Sequence, residues 1–246
     1  DHMGITAENI ASKFKITRQE QDEFAMNTQE KARLAQKEGK FKDEIVPITV
    51  QQRRQAVVFE EDEYINHSTN LEKLNKLRPA FDKEGSVTAG NASGINDGAA
   101  FAFVVSDAFV KEHNLEPLVE VLGFGQSGVD PKIMGIGPVK AINSVMKKTG
   151  LSLEQFDVIE LNEAFASQSI GVMKELTKDM SLTYEALAAK VNPNGGAIAI
   201  GHPIGASGAR ISATLIHEMK RTESEYGLAS LCIGGGMGIS MAVKNV

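Results

Sequence analysis

The second half of the chain alternates between strand patterns and helix patterns, and this alternation limits the fold more than any other feature. Apolar runs predict strands at residues 119–124, 156–161, 227–233 and 239–243, and amphipathic patterns predict helices at 138–149, 164–176, 181–190 and 206–220. Residues 198–200 and 228–233 lack the polar alternation of a solvent-facing strand. The sequence therefore predicts an α/β domain built in layers around a largely buried sheet.

Residues 1–85 are polar and only thinly apolar, so we expect them to form an appended layer rather than an independent core. Residues 5–40 have a helical pattern, in which Thr17-Arg18-Gln19-Glu20 is typical of a capping box at a helix start. A strand is expected at 45–50. Residues 87–98 are dense in Gly, Ala, Ser and Asn, and the apolar run 99–105 predicts a buried strand.

Charge and cysteine content exclude several classes of function. The net charge of −6 argues against a broad nucleic-acid surface, although the cluster Lys73, Lys76 and Arg78 fits either a small-anion site or a solvated basic face. No run of about 20 apolar residues predicts a membrane helix, and no secretory signal is visible. The one cysteine, Cys232, permits neither an internal disulfide nor a multi-cysteine zinc site. It favours a reducing, cytoplasmic location.

The segment around His202 is the most unusual part of the sequence, with five glycines within residues 192–210 ahead of an amphipathic helix. Glycine permits ligand atoms to approach backbone amides closely, and a helix N-terminus suits an anionic or oxyanionic group. Pro203 restricts the direction of His202. The alternative is a tight structural turn. The order of the glycines does not match a GxGxxG dinucleotide loop.

Two further segments place polar groups near strand ends. Cys232 ends an apolar strand just before Gly234, so its thiol can serve as a base and the glycine amides can hold an oxyanion. The alternative is that Cys232 is only a small hydrophobe, as a buried cysteine at a strand end usually is. Asn162 follows the apolar strand 158–161, where ligands bind in open α/β sheets, and it also suits a helix N-cap. Residues 89–98 fit either a loop or a groove for a long ligand.

Together these segments resemble a known family. Asn162-Glu163-Ala164-Phe165, Gly201-His202-Pro203 and Cys232-Ile233-Gly234-Gly235-Gly236-Met237-Gly238 are similar to the three signatures of thiolases, in particular of acetyl-CoA acetyltransferases. The resemblance covers essentially the whole chain, including 2–9, 41–45, 78–81 and 87–98. It implies a helix–sheet–helix thiolase fold in which residues 1–85 form most of the loop domain. Residues 86–115 would complete that domain and supply the last strands of the N-terminal domain, and 116–246 would form the C-terminal domain.

The resemblance also implies a reaction, which is the reversible Claisen condensation of acetyl-CoA units to acetoacetyl-CoA, or the reverse thiolysis. His202 would activate the nucleophile and help form an oxyanion hole, while Cys232 would act as acid and base. Asn162 would hold a water at the enolate, and the amide of Gly234 would contribute to the other oxyanion hole. The residues implied to line the pantetheine tunnel are His2, Met3, Phe81, Ala89, Ser93, Met134, Ala164 and Phe165, with Ser93 as a hydrogen-bond partner. No metal and no cofactor beyond the coenzyme A thioesters is implied.

In thiolases the nucleophilic cysteine precedes the region that this chain resembles. We therefore expect residues 1–246 to be inactive alone and to act within a dimeric or tetrameric enzyme of fatty acid metabolism. Two alternatives stay open: a 3-ketoacyl-CoA thiolase for longer acyl chains, and a non-catalytic acyl-CoA-binding fragment or subunit. A decarboxylating ketoacyl synthase fits less well, because Cys232 stands where that class has a histidine.

Overall fold

The computed structural model describes residues 2–53, 55–178 and 180–246. Its helices are α1 (Met3–Lys13), α2 (Arg18–Lys37), α3 (Leu71–Asn75), α4 (Asp107–His113), α5 (Gly137–Thr149), α6 (Ala166–Thr177), α7 (Tyr184–Lys190), α8 (Ala197–Ile200) and α9 (Ser207–Thr222), with 3-10 helices at Pro131–Ile136 and Leu153–Gln155. Its strands are β1 (Ile48–Gln52), β2 (Gln55–Phe59), β3 (Val119–Gly128), β4 (Val158–Leu161), β5 (Tyr226–Ile233) and β6 (Met237–Asn245). The predicted α/β class is confirmed.

The largest sheet has four strands in the order β3-β6-β5-β4. Strand β6 pairs antiparallel with both β3 and β5, whereas β4 runs parallel to β5. The four strands predicted in the second half of the chain are all present, and β5 and β6 pair as expected. Because β4 and β5 are parallel, Asn162 and Cys232 lie at the same edge of the sheet.

Helices cover both faces of this sheet. On one face α5 and α6 pack against Ile159 and Leu228, and on the other face α9 packs against Val158 and Ala229. Successive residues of a strand point to opposite faces, so the neighbours Val158 and Ile159 enter different cores. Both faces are therefore apolar, which explains the missing polar alternation and confirms the predicted helix–sheet–helix layers.

The N-terminal helices form the predicted appended layer. The expected helix over 5–40 is divided into α1 and α2, because Lys15 between them takes a positive φ of 52°. Helix α2 starts at the predicted capping box, in which Glu20 N donates to Thr17 Oγ1 at 3.1 Å and Thr17 N donates to Glu20 Oε2 at 2.6 Å. Ala25 is then buried where α2 meets α6 and α8. This layer stays ordered by packing on the second half of the chain.

One strand prediction is wrong, and one apolar run without polar alternation is a helix. Residues 99–105 form no strand, and Phe101 and Phe103 are 91% and 99% exposed. A strand needs a neighbour to satisfy its backbone hydrogen bonds, and no described strand lies beside this segment. Residues 198–200 belong to the buried helix α8. A short apolar run alone does not distinguish a buried strand from a buried helix.

Two boundaries also differ from prediction. The strand expected at 45–50 is β1, which forms an exposed hairpin with β2. The helix expected at 181–190 begins at Tyr184, because the Thr183 side chain accepts a hydrogen bond from Ala186 N and caps it there. Among the described helices, none combines the length and the apolar content that a membrane crossing requires.

Candidate active site

Asn162 lies immediately after β4, and its side-chain amide is buried. Its backbone N donates to Ser230 O of β5 at 3.0 Å, which fixes the residue at the edge of the sheet. The residue is 1% exposed, and neither Oδ1 nor Nδ2 makes a hydrogen bond within the described part of the chain. The N-cap alternative is wrong, because α6 begins at Ala166 without a side-chain cap. An unpaired buried amide is costly, so Asn162 is available to a ligand or a water.

Residues 91–96 form a linking segment between the turn after β4 and the glycine-rich segment. Ser93 N donates to Ala164 O at 3.0 Å. At the next residue of the chain, Gly94 O accepts a hydrogen bond from His202 N, also at 3.0 Å, on the opposite side of the linking segment. One short stretch of backbone thus holds the turn that follows Asn162 beside the segment that carries His202.

His202 is half-buried, and its Nδ1 lies 2.5 Å from Ser207 Oγ at the start of α9. Burial lowers the pKa of His202 below the ordinary value of 6.5, and the positive charge of Arg210 lowers it further. The imidazole is therefore neutral near neutral pH and keeps one nitrogen free to accept a proton.

Cys232 is the penultimate residue of β5 and packs on the apolar cluster that contains Ala164 and Phe165. The residue as a whole is half-buried, yet its thiol is desolvated, and this burial raises the pKa of Cys232 to about 12. The group is therefore a neutral thiol at rest, and its thiolate, once formed, is a stronger base than an ordinary one.

Gly234 opens the three-glycine turn between β5 and β6. It is exposed, and its amide has no hydrogen-bond acceptor among the described residues. Gly235 and Gly236 take positive φ values of 84° and 90°, which L side chains rarely adopt. At Gly236 a side chain would also meet the backbone of Val129. The turn therefore leaves an amide open beside Cys232.

The aromatic residues predicted for the pantetheine tunnel do lie together. The rings of His2 and Phe81 stack with centroids 5.0 Å apart, and Phe81 meets Phe165 edge-on at 6.0 Å. Gly4 is needed beneath Phe81, because any side chain there would occupy the space of the ring. Phe165 belongs to the apolar cluster on which Cys232 packs, and Phe81 packs against the same cluster. An apolar wall thus extends from the start of α1 to Cys232.

The other residues predicted for the tunnel differ in burial and in their distance from the aromatic cluster. Ser93 Oγ donates to Ala164 O at 3.0 Å, so its lone pairs, not its proton, remain for a ligand. Met3 and Ala89 are exposed. Met134 is 4% exposed in the 3-10 helix that packs on α1. These last three lie outside the described cluster around Phe81 and Cys232.

Glu163, for which the sequence predicts no role, connects the segments that surround the site. Its buried carboxylate accepts hydrogen bonds from Thr28 Oγ1 at 3.0 Å, Asn192 Nδ2 at 2.8 Å and Ile198 N at 3.3 Å. Burial raises the pKa of Glu163, whereas these donors lower it. The donors come from α2 and from the glycine-rich segment, which includes α8, so Glu163 ties the Asn162 turn to both. Its position inside a signature was the one available signal.

A second group without a predicted role is a buried charge pair. Glu160 in β4 is 1% exposed, and its Oε2 lies 3.8 Å from Arg210 Nη1. Burial raises the pKa of Glu160 to about 8, although Arg210 acts against it. Within the described chain the guanidinium nitrogens of Arg210 make no hydrogen bond.

Among the described residues, no set of three His, Cys, Asp or Glu side chains is arranged to hold a metal ion.

The site therefore combines a high-pKa thiol and an amide without a partner among the described residues, both at one edge of a covered sheet, with a neutral imidazole held nearby through the linking segment. This combination defines a layered α/β protein equipped to move protons beside an oxyanion. The thiolase C-terminal domain family matches residues 115–245, and the thiolase N-terminal domain family matches residues 1–108. The chain belongs to the thiolase family.

Individual relatives agree with this assignment. An acetyl-CoA acetyltransferase of Rhizobium meliloti (strain 1021) is 53% identical over the whole chain, and a probable acetyl-CoA acyltransferase of Staphylococcus aureus (strain COL) is 54% identical over 99% of it. The crystal structure of the Bacillus anthracis acetyl-CoA acetyltransferase matches 99% of the chain with 48% identity and a TM-score of 0.92. Human mitochondrial 3-ketoacyl-CoA thiolase matches it with 43% identity and a TM-score of 0.89. The chain spans 60% of the length of each of these four proteins.

Proposed function

We propose that this chain forms part of an acetyl-CoA acetyltransferase, which condenses two acetyl-CoA units to acetoacetyl-CoA and catalyses the reverse thiolysis. The observation that carries the proposal is the side-chain amide of Asn162, which is buried next to β5, the strand that carries Cys232, and has no partner among the described residues. A protein that only binds an acyl-CoA has no need for this arrangement, whereas an enolate-forming enzyme needs a polar group there.

In the proposed reaction Cys232, as a thiolate, removes a proton from the α-carbon of one acetyl thioester. That carbon is a very weak acid, so a base of raised pKa suits the step, and burial raises the pKa of Cys232 to about 12. The electron pair moves onto the thioester oxygen, which is stabilised by a water held by Asn162 and by the ring of His202 once that ring has taken the proton of the nucleophile. The enolate carbon then attacks the carbonyl of the acyl thioester on the nucleophile, and the free amide of Gly234 can bind the developing oxyanion. Collapse of this oxyanion breaks the carbon–sulfur bond and releases the nucleophile as a thiolate.

The acyl group must be carried by a nucleophile during this reaction. Residues 1–246 contain one cysteine, and the proposal assigns that residue, Cys232, to proton transfer. The proposal therefore places the acyl-carrying cysteine outside residues 1–246. Thiolysis of acetoacetyl-CoA by the purified 26.5 kDa chain alone would contradict this part of it.

The proposal is tested by assaying the enzyme that contains this chain for acetoacetyl-CoA thiolysis, with and without an H202A substitution. We expect turnover in the unsubstituted enzyme and a loss of about 10²–10⁴-fold in the variant, which is the usual contribution of a positioned acid or base. The matched control is H113A, because His113 lies exposed at the end of α4. Turnover that H202A leaves unchanged would refute the assigned role.

A thiolase for longer acyl chains is the second candidate, favoured by the 43% identity to human mitochondrial 3-ketoacyl-CoA thiolase. Comparing kcat/KM for acetoacetyl-CoA with kcat/KM for a long-chain 3-ketoacyl-CoA separates the two candidates. The primary proposal requires the higher value for acetoacetyl-CoA.

We also propose that the enzyme is a cytoplasmic homo-oligomer, a dimer or a tetramer, that uses coenzyme A thioesters without a further cofactor and binds neither nucleic acid nor a membrane. The net charge of −6 supports the absence of nucleic acid. Light scattering of the active enzyme tests the assembly, and dialysis against a chelator tests the independence from metal ions.

A further inference from the structure

Ser207 is the first residue of α9, and its hydroxyl lies against His202. It is 0% exposed, and its Oγ lies 2.5 Å from His202 Nδ1 and 3.0 Å from Pro203 O. It does not cap its helix, because α9 has no side-chain cap hydrogen bond. The hydroxyl is thus not needed to start the helix, and its two neighbours are one ring nitrogen and one carbonyl oxygen.

These two neighbours fix the direction of both hydrogen bonds. A carbonyl oxygen can only accept, whereas a hydroxyl has one proton to donate. With that proton directed to Pro203 O, Ser207 Oγ can only accept from Nδ1, which must then carry a hydrogen. We infer that Ser207 is a positioning residue that holds His202 in the Nδ1–H tautomer, with the lone pair on Nε2.

The opposite arrangement is less favourable. If Ser207 donated its proton to Nδ1, no hydrogen would lie between Ser207 Oγ and Pro203 O at 3.0 Å, and two oxygen lone pairs would face each other without water. The Pro203 carbonyl already accepts from Ala206 N at 2.7 Å and Ser207 N at 2.8 Å. The partial negative charge of the Pro203 oxygen is therefore directed at the start of α9, where the Ser207 hydroxyl is its third hydrogen-bond donor.

The tautomer decides which nitrogen can take a proton, since a neutral imidazole has one donor and one acceptor nitrogen. With Nδ1 occupied by Ser207, Nε2 is the only basic site of His202. This inference deepens the proposed function, because a nucleophile activated by His202 must then approach Nε2. The tautomer itself is a property of the folded chain and is measurable without substrate.

The test is long-range ¹H–¹⁵N NMR of the 246-residue chain with ¹⁵N-labelled histidine, near neutral pH, with the His202 signals identified by their loss in H202Q. We expect a pyrrole-type ¹⁵N shift for Nδ1 and a pyridine-type shift for Nε2. S207A should abolish this preference and give averaged shifts. The matched control is S212A on the same helix, where Ser212 Oγ donates to Gly208 O at 2.8 Å without a histidine nearby, and it should leave the His202 signals unchanged.

A pyrrole-type shift at Nε2 in the unsubstituted chain would overturn the inference, as would S207A spectra that match those of the unsubstituted chain. In the complete enzyme we expect S207A to lower kcat by about 10- to 100-fold, the usual effect of removing a group that orients a functional histidine. The expected NMR signature without any thiolase turnover would refute the proposed function alone. Turnover without the signature would refute the role of Ser207 alone.

Discussion

The carboxylate of Glu163 occupies the space that a side chain at Gly196 would need: a Cβ on Gly196 would lie 2.5 and 2.6 Å from its two oxygens. Gly196 has an ordinary extended backbone, with φ at −126°. Glycine is therefore required there by the neighbouring carboxylate and not by the turn. The hydrogen bonds of Glu163 and the bare backbone of Gly196 together set how closely the glycine-rich segment approaches the Asn162 turn.

We accordingly expect G196A to lower the free energy of unfolding by about 1–3 kcal/mol, the usual cost of overpacking. The control is G208A, because Gly208 lies in α9 with no atom within 4 Å of an added Cβ. That substitution should instead stabilise by up to about 1 kcal/mol through helix propensity. Urea unfolding of the two variants measures the difference, and equal effects would contradict the steric argument.

Stability should fall as pH rises through the neutral range because of Glu160. Burial raises the pKa of Glu160 from 4.5 to about 8 in the folded chain, with Arg210 and Lys31 acting against the shift and Glu44 and Glu163 adding to it. The folded state thus holds a proton that the unfolded state releases, so this stabilisation is complete below about pH 4.5 and lost as pH rises through about 8.

Unfolding free energies measured across that pH range should therefore decline in the unsubstituted chain and decline less in E160Q, which stays neutral. Glu116 is exposed, so E116Q should keep the original slope. The same slope in E160Q and the unsubstituted chain would show that Glu160 does not titrate in this window.

Replacing Asn162 should separate catalysis from stability. Because its amide makes no hydrogen bond within the described chain, N162A should change the free energy of unfolding little. In the complete enzyme it should lower kcat by about 10²–10³-fold, as expected for loss of a donor to an oxyanion. N75A, at the exposed end of α3, is the control for both measurements. A large loss of stability in N162A would indicate a structural amide.

Cys232 should resist alkylation in the folded chain. Burial raises the pKa of its thiol from 9.0 to about 12, so the reactive thiolate is scarce near neutral pH. Relative to the chain unfolded in urea, we expect the iodoacetamide rate to fall by at least about tenfold, because a higher intrinsic nucleophilicity offsets only part of the lost thiolate. A folded-state rate equal to the unfolded one would contradict the raised pKa.

Two of the three residues to which the proposal gives a role could be predicted from sequence because apolar runs mark where strands end. Asn162 follows β4 and Cys232 lies one residue before the end of β5, so the parallel pairing of the two strands brought their ends together. A different signal, the high glycine content of residues 192–210, indicated His202. Both signals depend only on neighbouring residues in the chain, so they can be recognised without the fold.

The residues that the sequence did not reveal depend on contacts between distant segments. Thr28 and Glu163 are 135 positions apart, yet their side chains are hydrogen-bonded, and no periodicity predicts such a bond. The unpaired amide of Asn162 is likewise visible only after burial is known. The strand prediction for residues 99–105 was wrong for the same reason, because an apolar run becomes a strand only beside a neighbouring strand with which it can pair.

The linking segment, residues 91–96, has a consequence for how this sequence can vary in length. Its backbone binds Ala164 on one side and His202 on the other, with no spare residue between the two attachment points. An inserted amino acid there would move one functional turn away from the other, whereas the exposed β1–β2 hairpin can absorb an insertion at its tip. Changes in chain length during evolution should therefore accumulate at the hairpin and be absent from the linking segment.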